Sequence, residues 1–121
     1  VSTASVSGTA DELRRPKYAY KSVQIAKTIP QIHQALFDYQ AKCRNVGEII
    51  VDPSGKRIVI KDTSQQLARG SVWLLIDITA DAGGAQLKSY LVKPEFWTSF
   101  VDETIGAINN PNACYVRQGQ A

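Results

Sequence analysis

The chain has one histidine, two cysteines and no methionine in 121 residues, and each scarcity removes a class of chemistry. With His33 as the sole imidazole and no Gly-x-Ser-x-Gly turn, a nucleophilic triad lacks its parts. Asp102 and Glu103 are neighbours on a predicted helix, so their carboxyls diverge and do not form an acid–base pair. A zinc site needs about four ligands, and Cys43, Cys114 and His33 supply too few. Gly83-Gly84 reads as a hairpin turn, not a phosphate-binding loop. The sequence is therefore expected to carry no catalytic residues, no metal site and no cofactor site. No apolar run reaches the roughly 18 residues that span a bilayer. The net charge is +3 and the cations are scattered, with Arg14-Arg15-Pro16-Lys17 the densest cluster. Nucleic acid calls for a denser stripe with interleaved aromatics, so it is not an expected partner. The chain opens at Val1 and shows no leader; we read it as a mature form or a fragment, so the missing leader says little against export.

What is present is a regular alternation of elements. Residues 1–15 are small and then charged, without periodicity, and are expected to be a flexible tether; an ordinary disordered terminus is the alternative. Residues 17–27 predict a strand, with Ala19, Val23 and Ile25 on one face and Tyr18, Tyr20, Ser22 and Gln24 on the other. Thr28 and Gln31 spell a capping box and Pro30 suits a first helical turn. Ile32, Leu36, Tyr39 and Cys43 then make one stripe of a helix that ends near Asn45 and Gly47. Strand 48–51, the turn Asp52-Pro53-Ser54-Gly55 and strand 56–61 form a hairpin around a type I turn. Strand 71–80 has Val72, Leu74, Ile76 and Ile78 alternating inward. After Asp81-Ala82-Gly83-Gly84, strand 85–92 returns with Leu87 and Leu91 inward and Lys88 and Tyr90 outward. Pro94 opens a last helix to about Asn109, with Trp97, Phe100, Val101, Thr104, Ile105 and Ile108 on its stripe.

The expected fold is α+β, β-α-β4-α, a twisted antiparallel sheet with two helices packed on one face and residues 16–121 as a single domain. Cys43 and Cys114 then fall at or just past the ends of the two helices. They read best as one disulfide, with two separate buried thiols as the alternative. The bond would close a loop of about 70 residues, for which chain entropy gives about 4 kcal/mol. It would also imply an oxidising compartment.

This order of elements over residues 17–109 resembles the helix-grip fold of START and Bet v 1-like domains, related in topology to the TATA-binding-protein half-domain. The chain has one helix where the large members have two after the first strand, fewer strands, and no glycine-rich loop. It is more similar to the small helix-grip domains of bacterial envelope lipoproteins. The resemblance implies binding or scaffolding in place of catalysis. The small-residue tail and the cysteine pair point to a periplasmic or outer-membrane location, lipid-anchored through an N-terminal membrane tether.

Two surfaces are candidates for binding. Trp73, Leu75, Asp77 and Tyr90 face away from the inward set and would form a semi-apolar face for a protein partner. Trp97, Phe100 and Ile105 would line a slot between sheet and last helix for a lipid-like ligand, the alternative function of an apolar carrier. A filled core is the expectation there, because a domain this small needs its large apolar side chains for stability.

Overall fold

A computed structural model describes residues 14–43, 46–62, 74–91 and 94–114, with the backbone alone at 62 and 94–97. After a single 3-10 turn at Pro16–Tyr18, the order is β1 (Ala19–Ile25), α1 (Ile29–Lys42), β2 (Glu48–Val51), β3 (Arg57–Asp62), β4 (Leu74–Asp81), β5 (Gly84–Leu91) and α2 (Pro94–Asn109). The strands form one antiparallel sheet in the order β1-β5-β4-β3-β2. β2 to β5 run as a meander, and β1 returns to pair with β5. The architecture is the α+β, β-α-β4-α arrangement that periodicity predicts, with a twisted sheet and two helices. Trp73 and the start of its predicted strand lie outside the described residues, as do residues 1–13 of the predicted tether.

Local sequence explains each element. Thr28 Oγ1 accepts from the Gln31 amide and the Gln31 side chain accepts from the Thr28 amide, so the capping box forms as read. In the β2–β3 turn the Gly55 amide donates to the Asp52 carbonyl at 2.8 Å, and Gly55 has φ +75°. Gly84 opens β5 at φ +128°, where a Cβ would run into the backbone of Ile25 and Lys27. That close approach lets the end of β1 lie against the start of β5.

One face of the sheet meets both helices. Ile58 and Ile60 of β3, Leu74, Ile76 and Ile78 of β4, and Leu87 and Leu91 of β5 are almost wholly buried there. Ile32, Leu36 and Tyr39 of α1 and Val101, Ala107 and Ile108 of α2 close over them. Phe100 and Ile105 are half-buried and pack against this core, while the Trp97 side chain is outside the description.

The structure corrects β1. Its register with β5 slips between Ala19, opposite Tyr90, and Ser22, opposite Lys88. A bulge of this kind adds one residue and reverses the facing of what precedes it. Ala19 therefore shares the outer face with Ser22, not the inner face with Val23 and Ile25. The strand is also shorter than predicted, because residues 16–18 are taken by the 3-10 turn.

Candidate functional site

The outer face of the sheet collects the polar residues with the most pronounced electrostatics. On β4, Leu75, Asp77 and Thr79 point away from the helices. The Asp77 carboxylate is 8% exposed. Arg14 reaches it from the chain before β1, donating from Nε at 2.7 Å and from Nη2 at 3.1 Å. Arg57 of β3 donates to the same carboxylate through Nη2 at 2.9 Å, and its Nε is buried without a hydrogen-bond partner among the described residues. Burial alone pushes the Asp77 carboxyl up; the two guanidinium groups together outweigh it and hold the carboxyl below its ordinary value. Lys88 of β5 lies directly across the strand pair from Asp77 and is exposed. Two guanidinium groups thus hold one carboxylate.

Along the β1–β5 border the outer face hollows. A surface cavity of about 150 Å³ is lined by Tyr20, Lys21, Ser22, Lys88, Ser89 and Tyr90, together with Ala19. The bulge shapes its floor. Ser89 Oγ accepts from the Lys21 amide at 3.0 Å and donates to the Lys21 carbonyl at 2.9 Å, so one buried hydroxyl satisfies both backbone groups that the slipped register leaves over. Ser22 Oγ accepts from Gln86 Nε2 at 2.6 Å. Lys17 lies over the Tyr18 ring at 5.0 Å and Lys21 over the Tyr20 ring at 5.4 Å from the centroid.

Other polar groups join elements. Lys21 Nζ donates to Asp102 of α2 at 2.8 Å, and that bond raises the ammonium above its ordinary value against the opposing effect of burial. Lys27 Nζ donates to the Ile108 carbonyl at 2.6 Å, a cation placed at the negative end of α2. Tyr39 Oη donates to Glu103 inside the helix–helix interface, where both side chains are fully buried. Cys43, at the end of α1, and Cys114, five residues past α2, are joined, their Cα atoms 5.5 Å apart. Cys43 caps α1 and packs against the core, whereas Cys114 is exposed.

The candidate face is thus only partly as the sequence suggests. Leu75 and Asp77 are not exposed: Leu75 is fully buried, and Asp77 is enclosed by its two arginines. Arg14, which the sequence reading placed in the tether, is docked on this face by its ion pair with Asp77. Tyr90 does reach the outer face and lines the hollow, half-buried. Sequence reasoning missed Arg14, Arg57, Lys88 and Ser89. The signals present were the Arg14-Arg15 pair and a serine on the otherwise apolar inner face of β5. His33 is exposed on α1. Among the described residues no group of three or more His, Cys, Asp or Glu is placed to hold a metal ion, and no helix is long and apolar enough to cross a membrane. The chain matches no protein-family model, no curated protein and no solved structure.

Proposed function

We propose that this chain is a non-catalytic binding or scaffolding module of the bacterial cell envelope, a lipoprotein domain held at the periplasmic side of a membrane and assembling with a protein partner. The observation that supports it most is how the polar side chains are used. Asp77 ties the N-terminal segment, β3 and β4 together. Ser89 ties β5 to β1, Lys21 ties β1 to α2, Lys27 ties the connection before α1 to α2, and Glu103 ties α2 to α1. Acids and bases committed to holding elements together suit a rigid platform better than proton transfer. The disulfide belongs to a non-cytoplasmic, oxidising compartment and supports the address. The β-α-β4-α order supports the kinship with small helix-grip domains of envelope lipoproteins.

The test uses the full-length gene product. Cells are labelled with radioactive palmitate and fractionated, and a photo-crosslinking residue replaces Tyr90 in the same strain. A palmitate-labelled envelope protein that forms one discrete protein adduct is the expected result. An unlabelled product confined to the cytoplasm would overturn the reading.

A further inference from the structure

We propose that the open edge of β2 takes up an extended segment of a partner protein as an added antiparallel strand, one that carries basic, apolar and basic side chains in alternation on the outer face of the sheet. The surface is the sheet edge opposite β1, away from Tyr90, and its use does not depend on the compartment.

Among the described residues β2 ends the strand order and pairs with β3 alone. The Asp52 amide donates to the Arg57 carbonyl, which makes these two a hydrogen-bonded pair. In an antiparallel ladder such pairs alternate, so along the unbroken register Ile50–Val59 and Glu48–Lys61 are hydrogen-bonded pairs too. Ile49 and Val51 therefore turn their amides and carbonyls away from β3. Two donors and two acceptors at strand spacing are a template for another strand. The opposite edge, β1, is guarded by a bulge with Lys21 inside it, and both features discourage strand addition. β2 has neither: its four residues hold no Lys and no Pro and keep register throughout.

The side chains say which strand fits. Glu48, Ile50 and Asp52 form one row on the outer face, opposite Lys61, Val59 and Arg57 of β3. The row reads acid, isoleucine, acid, and β3 meets it with base, valine, base. Glu48 and Asp52 are exposed, and Ile50 is 38% exposed. Opposite charges directly across a strand pair favour it and like charges oppose it. Covering Ile50 also removes apolar area from water. A strand that repeats the pattern of β3 on the free side of β2 satisfies all three side chains. A second copy of β2 does not, because pairing about Ile50 sets Glu48 against Asp52.

The test follows the backbone amides of the purified chain by NMR during titration with the peptide Ser-Arg-Thr-Val-Thr-Lys-Ser, blocked at both ends. The Ile49 and Val51 amides should shift and exchange with deuterium more slowly as peptide is added, and those of β1 should not. Methylating the two Thr amides, which would donate to the Ile49 and Val51 carbonyls, should abolish binding. Methylating the Val amide, which would point away from β2, should leave binding within about twofold. Glu48→Gln should weaken the basic peptide about two- to fivefold, and Ser-Glu-Thr-Val-Thr-Glu-Ser should bind wild type about tenfold more weakly. Equal binding of the acidic and basic peptides would overturn the proposal, as would indifference to Thr methylation or shifts confined to the β1 edge. So would shifts of Ile49 and Val51 with protein concentration alone, which would make a second copy the occupant. None of these readouts involves palmitate labelling or the Tyr90 adduct, so the envelope reading stands or falls separately.

Discussion

At the scale of single residues, Asp77 decides the character of the outer face. A lone aspartate in the most apolar strand invites a reading as a polar handle for a partner. Its actual partners are Arg14, 63 residues away, and Arg57, 20 residues away. Nothing in local sequence announces a pairing over such distances, which is why the residue was legible as unusual and its role was not. Replacing Asp77 by Asn keeps the shape but leaves two guanidinium groups facing each other without the charge that offsets them. A fully buried pair broken in this way costs about 3–5 kcal/mol; the partly exposed arginines reduce that to about 2 kcal/mol. The pH dependence has a definite sign. The folded carboxyl lies below its ordinary value, so its contribution is fully present above about pH 4 and is lost as the pH falls through the depressed folded value. Urea unfolding of wild type and Asp77→Asn should therefore differ near neutrality, with the difference shrinking as the pH falls below about 4. A difference that stays constant across that range would show that the carboxylate is not the source of the effect.

At the scale of elements, the sequence was most informative where one residue type has one job. The capping box of α1, the Asp52-Pro53-Ser54-Gly55 turn and the inward alternation of Leu74, Ile76 and Ile78 all form where they were read. The boundaries of β2 and α2 also agree. The bulge in β1 was not legible, because alternation assumes a regular pleat and the slip is enforced from the partner strand. Ser89 is the enforcing residue: it sits on the apolar face, 1% exposed, and serves both the amide and the carbonyl of Lys21. Ser89→Ala should leave those two backbone groups short of partners, at a cost of about 1–3 kcal/mol. The Lys21 amide should then exchange with deuterium faster than the amides of β4. An unchanged stability and an unchanged Lys21 exchange rate would mean that water or a relaxed backbone replaces the hydroxyl, and the bulge would be a property of β1 alone. The adjacent acids on α2 give a related lesson. Asp102 and Glu103 diverge as expected, but one goes to Lys21 and the other into the helix–helix interface with Tyr39. Sequence spacing showed that they part, while only the packing of α1 on α2 shows where each ends.

At the scale of the molecule, the disulfide joins the C-cap of α1 to the segment that follows α2. The bond was readable because the chain has only two cysteines, one closing α1 and the other five residues past α2, with both helices on one face of the sheet. The bond spans a sequence separation of 71, and in the chain-entropy picture a loop of that size contributes about 4 kcal/mol by restricting the unfolded chain. Native contacts tell where the loss would be felt first. The sheet is a continuous meander closed by β1, and no strand pairing passes through the bond. The Tyr39–Glu103 hydrogen bond and the Lys21 and Lys27 ties also hold α2 independently of it. Reduction should therefore lower stability without changing the fold. Because Cys114 is exposed, a small reductant reaches the bond in the native state. The expected result is a fall of roughly 15–20 °C in Tm on reduction, taking about 4–5 °C per kcal/mol for a chain of this length. Hydrogen exchange should accelerate at the C-terminal ends of α1 and α2 while β4 and β5 keep their protection near room temperature. A Cys43→Ser/Cys114→Ser variant should match the reduced protein in both respects. If that variant melts with the oxidised wild type, the cross-link contributes nothing to this fold. If it loses the protection of β4 and β5 as well, the sheet is not the independent platform that its hydrogen-bonded order implies.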